Sequence, residues 1–526
     1  MSSEKINPAK IYDHAGIIDL HPLFKEWPNK WTGDKDRLTS LAMTMVNGEA
    51  YFPKNHRGYA YTPRFRPLKK EGFLHSLEKT DYFQRLYGVH QLSQHRRYPA
   101  LNHQTRADHS LLVADQMASH LHSLATHSPV ELLHTLREDF DSLGLAEAKE
   151  SGDQLLRSAV LLACFMGTYH DVPTIAGGER TKKALRYLDI EADEEELLSH
   201  LLFPDQSAEF NKPPFTSNAR ELHAMLAKHE INPDHLRYAV DCIKGTSNTL
   251  LGNLIHSCRP NGDILEADRI AYTLLDYFAA GVFGPDVPRQ NVQDITSEET
   301  QYQYVHSIRR FGDLLCDPKR MASEKIVPAF AWNTLDLSQD ARLINGKVVY
   351  SIPEKAIALA NARARGFKYH YQGPMMTGLE EEYSREITKW VRQNGLPDCL
   401  KTPNLLNLSD SQLLASFQRL PNNRNLRAVI DRMGINSTPN FYHGTWVTDE
   451  NEARRAWNYL RTSIKPALDT PVLFKGKVIP LKDYMEKVEN NPIVEDTKIL
   501  LQIPEPYLAI RQTRSNQVVV QSSLPI

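Results

Sequence analysis

The segment from Leu155 to Met166 is apolar on nearly every side, and it limits the possible folds more than any other feature of the chain. Its longest purely apolar run begins at Ala159 and is far shorter than the roughly 18 residues that a membrane-spanning helix needs. A helix with no polar face has to be covered by other helices. The sequence therefore predicts a mainly α-helical protein with this helix in its core.

Other segments have the spacing of helices that would cover such a core. From Ser110 to Leu124, apolar residues recur at steps of three and four, and His109 projects from the same stripe. Residues Ile264 to Phe278 form another apolar stretch of helical length. Strand-like pieces such as Lys347–Ile352 are short and lie mostly outside this region.

These patterns divide the chain into four regions. Residues 1–75 are rich in Pro, Lys and Arg and predict an irregular N-terminal unit with a hairpin, which includes the strand-like Gly16–Leu20. Residues 76–300 are the helical core, and residues 301–434 are a largely helical extension. Residues 435–526 mix strand-like and helical patterns. The predicted fold class is therefore mainly α, with small β-hairpins and a mixed α+β C-terminal region.

Composition excludes several classes of function. The 526 residues carry a net charge of −2, which provides no overall field for polyanions, so nucleic acid binding is not indicated. The five cysteines are scattered without a C-x-x-C pair, which argues against a disulfide framework and a cysteine zinc site. No apolar signal segment opens the chain, so we expect a cytoplasmic protein that does not bind membranes.

Two histidines and two aspartates occupy places where three of the predicted helices can converge. His109 opens one amphipathic helix, His170-Asp171 follows the buried helix, and Asp268 lies on the inner face of a third. Two imidazoles and two carboxylates give a divalent ion four ligands and leave room for water or a phosphate oxygen. The sequence therefore predicts a hydrolytic metal site, and its residues do not distinguish Mn, Fe, Mg, Ni or Zn.

Each of these residues also has a simpler interpretation. A single His on an apolar stripe, such as His109, is usually a hydrogen-bonded core residue. Asp268 is harder to explain in this way, because a buried carboxylate costs several kcal/mol unless it is paired. Tyr272 and Asp276 follow Asp268 on one line of the helix, and they either face a cleft or hydrogen-bond to each other or to a neighbouring loop.

Several segments resemble a known family. They are Ile11–Leu20, Phe83–Leu92, Asn102–Leu111 and Asp268–Asp276, with a fainter likeness at Asn361–Tyr371. Their motifs are similar to those of the HD-domain dNTP triphosphohydrolases, which include the eukaryotic SAM-and-HD-domain dNTPase and bacterial dGTP triphosphohydrolases. The resemblance implies an HD-domain core in residues 76–300, an extension that completes a nucleotide pocket, and a homo-oligomer.

The positions that match the family's motifs acquire expected roles through this resemblance. The ligands of the divalent ion would be His109, His170, Asp171 and Asp268. Arg106 and Arg269 would contact phosphates, and Gln91, Leu92, Tyr272 and Asp276, with Tyr369, would surround the sugar. The activity implied is hydrolysis of a dNTP, a small-molecule nucleotide, to deoxynucleoside and triphosphate. Arg106 would be a catalytic residue that holds the developing phosphate charge.

The segment after Asp171 departs from the family's pattern. The histidines that follow the His-Asp pair in the family are missing, and Glu179 and Lys182 lie in a Gly-rich stretch that resembles the corresponding loop of HD nucleotidases. Glu179 is therefore a second catalytic candidate, although such a stretch is more often a surface loop. The departure leaves two alternatives open: an HD-type nucleotidase or phosphodiesterase, and a catalytically weak protein that senses nucleotides.

Overall fold

The computed structural model describes residues 6–18, 50–51, 68–90, 105–190, 192–255, 263–279, 337–367, 374–434, 442–447, 466–489, 491–501, 507–512 and 518–522. Helices dominate these residues, so the predicted mainly α fold is confirmed. Within these ranges, no helix combines the length and the apolar character that crossing a membrane requires.

The described part of the chain contains α-helices of very different lengths and a smaller number of short strands. The helices are α1 (Lys10–Ala15), α2 (Phe73–Glu78), α3 (Asp81–Gln84), α4 (Arg106–His127), α5 (Pro129–Ser142), α6 (Gly152–Tyr169), α7 (Gly178–Arg186), α8 (Glu194–Leu202), α9 (Phe215–Ala227), α10 (Pro233–Ile243), α11 (Leu250–Ile255), α12 (Ala267–Ala279), α13 (Pro353–Gly366), α14 (Pro374–Asn394), α15 (Thr402–Leu405), α16 (Asp410–Arg419), α17 (Arg424–Gly434), α18 (Leu481–Lys487) and α19 (Pro492–Leu501). The strands are β1 (Ala50–Tyr51), β2 (Leu68–Lys69), β3 (Ala341–Ile344), β4 (Lys347–Tyr350), β5 (Tyr442–Val447), β6 (Pro471–Phe474), β7 (Lys477–Pro480), β8 (Tyr507–Gln512) and β9 (Val518–Ser522).

Helix α6 contains the apolar segment that dominates the sequence, and it runs through the centre of the helical core. All of its residues from Ala159 to Tyr169 are buried. Helix α4 packs along it, and α1, α2, α5, α10 and α11 cover its other sides. The prediction of a buried central helix is confirmed, because a helix without a polar face has been enclosed by its neighbours.

Gly167 allows α6 and α4 to approach each other closely. A Cβ atom added at this position would lie 2.6 Å from the backbone N and Cα of Ala114, which is closer than such atoms normally come. We expect Gly167→Ala to push the two helices apart and to lower the free energy of unfolding by about 1–3 kcal/mol, the usual cost of overfilling a core. Thermal unfolding of the purified variant measures this effect, and an unchanged unfolding temperature would contradict the close contact.

Helix α12 lies against both α4 and α13, and it begins at Ala267 and not at Ile264 as the apolar pattern predicts. The extended chain that leads into it is fixed by a hydrogen bond from the Leu265 N–H to Thr470 Oγ1 (2.9 Å). The C-terminal region thus contacts the segment that precedes this helix.

The β-structure is small and lies mainly in the later half of the described chain. One mixed sheet has the strand order β3-β4-β6-β7, in which β4 and β6 are parallel and the other neighbours are antiparallel. Its β3–β4 hairpin turns at Asn345 and Gly346, whose φ angles of 52° and 69° suit a two-residue turn. Strands β5, β8 and β9 form an antiparallel sheet, and β1 pairs with β2. The strand predicted near Lys347–Ile352 is confirmed as β4.

The N-terminal region differs from the expectation of an irregular unit. Residues Lys10–Ala15 form helix α1, which packs on α4 and α6. Of the strand-like Gly16–Leu20, the described part makes only an isolated bridge between Ile17 and Leu68. Buried apolar residues from Ile11 to Val494 belong to one hydrophobic core, so α1 is part of the core and not an addition to it. Packing against the two central helices explains a helix that is too short to be stable alone.

Candidate metal centre

The start of α4 places Arg106 and His109 on one face of the helix. The helix is fixed there by a capping box, in which the Thr105 hydroxyl accepts the Asp108 N–H (3.2 Å) and the Asp108 carboxylate accepts the Thr105 N–H (2.9 Å). Residues three apart in a helix lie on the same side. The cap therefore sets the position of both side chains.

His170 and Asp171 follow directly on the last turn of α6. The His170 Nδ1 lies 2.8 Å from the Gly167 carbonyl oxygen. Because a carbonyl only accepts, Nδ1 carries a proton, so in the neutral imidazole the lone pair is on Nε2, as in histidines that bind metals. The end of the helix thus orients this imidazole for ligation.

Asp268 lies in the first turn of α12 and faces the two histidines. Its Oδ1 is 2.9 Å from His109 Nε2 and 3.6 Å from His170 Nε2. The side chain keeps 29% of its surface exposed, whereas His109 is almost completely buried. The group is therefore open to solvent on the side of the third helix.

The four predicted ligands meet at ligand-to-ligand distances. The two Nε2 atoms of His109 and His170 are 3.2 Å apart, and Oδ2 of Asp171 is 3.6 Å from each of them. Atoms about 2.1 Å from a shared ion stand about 3.0 Å apart at right angles and about 3.4 Å apart in a tetrahedron. His109, His170 and Asp268 form a group that could hold a metal ion, and Asp171 lies beside them. The residues therefore fit a divalent ion, although their role as ligands stays a prediction.

The electrostatics of this group favour positive charge between its members. Burial alone would lower the pKa of His170, but the carboxylates of Asp171 and Asp268 outweigh it and raise the pKa to about 9. Burial opposes ionisation of Asp268, yet hydrogen bonds from His109 and His170 hold its pKa well below the usual value. The negative charge that keeps a proton on His170 would also attract a cation bound between these atoms.

Arg106 contacts Asp171 in the structure. Its Nη1 donates to both carboxylate oxygens, at 2.9 and 3.0 Å. Although burial opposes the charge, Asp171 and the more distant Glu194 and Glu179 raise the pKa of Arg106 above its usual value. The buried Nε of Arg106 has no hydrogen-bond partner among the described residues. An unpaired buried donor of this kind is costly, and a bound ligand could satisfy it.

Tyr272 lies beside the metal group and is held by an arginine that the sequence did not single out. Its ring centre is 6.5 Å from that of His109. Arg363 of α13 donates from Nε to the Tyr272 hydroxyl (2.6 Å) and from Nη1 to Asp263 (3.3 Å). In the sequence, only the faint likeness of Asn361–Tyr371 to a dNTPase segment indicated that this region reaches the site. No local pattern marks a contact between segments so far apart in the chain.

Arg269 points to carboxylates next to the metal group. Its Nε lies 3.0 Å from Glu266 and its Nη1 3.4 Å from Asp263. Burial raises the pKa of Glu266 to about 8, which the Arg269 charge only partly opposes. The guanidinium is thus engaged with these two side chains in the structure, and phosphate contact by Arg269 stays a prediction.

Glu179 lies in a helix, α7, and not in the surface loop that its Gly-rich setting suggests. Its carboxylate is 2.9 Å from Lys182 and 3.6 Å from Arg186, and 60% of its side chain is exposed. Lys182 in turn is 3.1 Å from Glu194. The charges after the His-Asp pair therefore form a linked cluster, and a catalytic role for Glu179 stays a prediction.

Some of the predicted sugar contacts cannot be placed. Gln91, Leu92 and Tyr369 lie outside the described residues, as does the side chain of Asp276. Tyr272 is the described member of that set, and it lies next to the metal group.

Comparison with known proteins finds similarity at the level of the fold. No family model matches the chain, and no curated protein matches it. A solved phosphohydrolase from Bacteroides thetaiotaomicron is 13% identical over 86% of this chain and 98% of its own, with a TM-score of 0.50. A hypothetical protein from Aquifex aeolicus is 13% identical over 82% of this chain and 92% of its own, with a TM-score of 0.49. The chain shares a fold with the phosphohydrolase from Bacteroides thetaiotaomicron.

Proposed function

We propose that the protein is a metal-dependent phosphohydrolase, and specifically a dNTP triphosphohydrolase that releases deoxynucleoside and triphosphate. One observation carries this proposal: His109, His170, Asp171 and Asp268 converge from three helices at the spacing of ligands around one ion. The shared fold with a phosphohydrolase agrees with it. The deoxynucleotide specificity rests on the sequence motifs alone.

The chain's own residues have distinct tasks in this reaction. A bound divalent ion supplies a Lewis acid and makes water more acidic. His109, His170 and Asp268, with Asp171 beside them, would hold the ion at the end of the central helix. Arg106 donates to Asp171 through Nη1, and its buried Nε has no partner among the described residues, which supports a role for this guanidinium in binding a phosphate oxygen.

Tyr272 and Arg363 support a nucleotide substrate. The tyrosine ring lies beside His109, and the Arg363 guanidinium fixes its hydroxyl. Burial raises the pKa of Tyr272 to about 12, so the hydroxyl stays protonated. A flat, rigid side chain next to the metal group would leave no room for a larger substituent on one side of the sugar. Pockets distinguish sugars by such steric exclusion.

The cluster of Glu179, Lys182 and Glu194 favours a second candidate, a nucleotidase or phosphodiesterase. Carboxylates and an ammonium group follow the His-Asp pair where the dNTPase family has histidines. Such a cluster provides a different proton donor for the leaving group. A third candidate, a nucleotide sensor, follows if these groups bind phosphate without speeding the reaction.

The test is incubation of the purified protein with Mn²⁺ or Mg²⁺ and a panel of dNTPs, rNTPs and nucleoside monophosphates. Chromatography identifies the products. Triphosphate with deoxynucleoside supports the dNTPase, orthophosphate supports the nucleotidase, and binding without turnover supports the sensor. No binding and no turnover on any of these substrates would reject the proposal.

The tyrosine beside the metal group provides a prediction about the sugar. We expect the unmodified protein to hydrolyse a dNTP far faster than the matching rNTP, because we propose that Tyr272 fills the space that a 2′-hydroxyl would need. Tyr272→Ala should narrow this ratio roughly tenfold, the discrimination that a small steric difference provides. The measurement is kcat/KM for both substrates.

Tyr272→Phe is the matched control, because it keeps the ring and removes only the hydroxyl that Arg363 contacts. Its dNTP-to-rNTP ratio should stay close to that of the unmodified protein. Equal rates on dNTP and rNTP in the unmodified protein would exclude dNTP specificity and favour the other candidates.

A further inference from the structure

The turn that carries two of the four proposed ligands is held in place by distant parts of the chain. This ligand turn, residues 170–177, joins α6 to α7. Its Ala176 N–H donates to the Leu405 carbonyl (3.2 Å), and its Gly177 N–H donates to Asp410 Oδ1 (2.7 Å). The two acceptors belong to the last residue of α15 and the first residue of α16, on either side of the connection between these helices. The end of the ligand turn is therefore fixed from the C-terminal extension.

Arg85 fixes the middle of the ligand turn. Its Nη2 donates to the carbonyl oxygens of Val172 (2.7 Å) and Thr174 (2.6 Å), and its Nη1 lies 3.5 Å from the Leu408 carbonyl. One guanidinium thus contacts both the ligand turn and the connection before α16. Hydrogen bonds from a charged donor to carbonyls in a buried place are among the stronger ones in proteins.

Asp410 joins the ligand turn to a third segment. The carboxylate is 3% exposed. While Oδ1 accepts the Gly177 N–H, Oδ2 accepts the His90 N–H and lies 3.0 Å from His90 Nδ1. One side chain therefore satisfies donors from two segments that are far apart in sequence.

The contact between these segments is tight as well as hydrogen-bonded. A Cβ atom added at Gly88 would lie 2.6 Å from Ser409 Cβ. Displacement of the connection before α16 would thus disturb the segment around His90 and the ligand turn together.

We propose that Asp410 is a positioning residue for the metal centre. It does not touch the ion; it holds the end of the ligand turn and thereby the directions of the His170 and Asp171 side chains. This inference rests on the proposed function, because it concerns the same metal group. It makes the segment from Leu405 to Asp410 a part of the active site's framework.

The test is Asp410→Asn in the full chain, with the Mn²⁺ dissociation constant as the main readout. The carboxamide has the same shape but only one acceptor, so its amino group must face either the Gly177 or the His90 N–H. We expect Mn²⁺ to bind about tenfold more weakly, the usual effect of losing a group that orients ligands. For hydrolysis, kcat should fall while KM changes little, because the substrate contacts remain.

Asn423→Ala is the matched control. Asn423 donates to the carbonyls of Phe417 (2.7 Å) and Gln418 (3.1 Å) at the other end of α16. Its loss should lower the unfolding temperature through the same helix without changing the Mn²⁺ dissociation constant. His90→Ala removes one of the Asp410 contacts and should weaken Mn²⁺ binding about threefold, a partial effect on the same scale. If Asp410→Asn does not fold, the Mn²⁺ dissociation constant of His90→Ala tests the proposal instead.

The outcomes separate this inference from the proposed function. Unmodified protein that binds no Mn²⁺ would overturn both. The inference alone would be overturned if the unmodified protein binds Mn²⁺ and Asp410→Asn binds it equally well. If Asp410→Asn does not fold, the same comparison is made with His90→Ala. Equal weakening in Asn423→Ala would also overturn it, because the effect would then reflect general stability.

Discussion

His170→Ala is expected to weaken Mn²⁺ binding far more than tenfold and to abolish hydrolysis. Loss of groups that merely orient ligands already costs ~10–100-fold in metal affinity, and removal of a ligand atom should cost more. His170 Nε2, which lies 3.2 Å from His109 Nε2, is one of the four proposed ligand atoms, and alanine supplies none. Asp171→Ala should have the same effect. Metal content per chain, measured after dialysis, tests both variants.

An exposed histidine serves as the control for these variants. His134 pairs with Glu138 on the surface of α5 and keeps 70% of its side chain exposed. His134→Ala should retain the metal content and activity of the unmodified protein. If His170→Ala and Asp171→Ala also retained full metal content, the ion would bind elsewhere and the proposed function would lose its basis.

Arg106→Ala is expected to lower kcat/KM for a triphosphate substrate about 100-fold, the scale of one lost charge-stabilising contact. The substitution should also lower the stability of the metal-free protein, because the buried Asp171 carboxylate would lose the Arg106 guanidinium that pairs with it. Breaking a buried ion pair in this way costs ~3–5 kcal/mol of stability. Added Mn²⁺ should restore much of this loss, since the ion neutralises the same carboxylate. Thermal unfolding with and without Mn²⁺ measures the difference.

An exposed ion pair provides the comparison for Arg106. Arg237 contacts Asp234 on the surface of α10, and exposed pairs of this kind contribute at most ~1 kcal/mol. Arg237→Ala should therefore change neither the activity nor the response to Mn²⁺. Failure of Arg106→Ala to bind Mn²⁺ would show that this arginine supports ligation through Asp171, and phosphate binding would no longer explain its effect.

Residues that obey a local pattern could be predicted from the sequence. The apolar segment from Leu155 to Met166 predicts α6 because enclosure is the only stable outcome for a helix without a polar face. His109 and Asp268 were found because a polar group on an apolar stripe requires a partner. That they meet was predicted from the combination of two histidines with two aspartates and from the shared motifs, since spacing within a helix says nothing about the distance between helices.

Other features have no local signature, and the sequence alone did not reveal them. Residues 1–75 were predicted as irregular because they are rich in Pro, Lys and Arg, whereas Lys10–Ala15 form α1, which packing on α4 and α6 stabilises. Arg363 and Asp410 act through contacts with Tyr272 and Gly177, which lie far away in sequence. Contacts of this kind depend on the packing of whole helices and not on neighbouring residues.

The hydrogen bond between the Gly177 N–H and Asp410 also has a consequence for biosynthesis. A ribosome adds about 5–20 residues per second, so roughly 7–30 s pass between synthesis of Asp268, the last proposed ligand, and of Asp410. During this interval the growing chain has all four ligands but lacks the carboxylate that secures the end of the ligand turn. Thr470, which fixes the entry to α12, follows later still. Loading of the ion is therefore expected to be a late event, which completes maturation after most of the chain has left the ribosome.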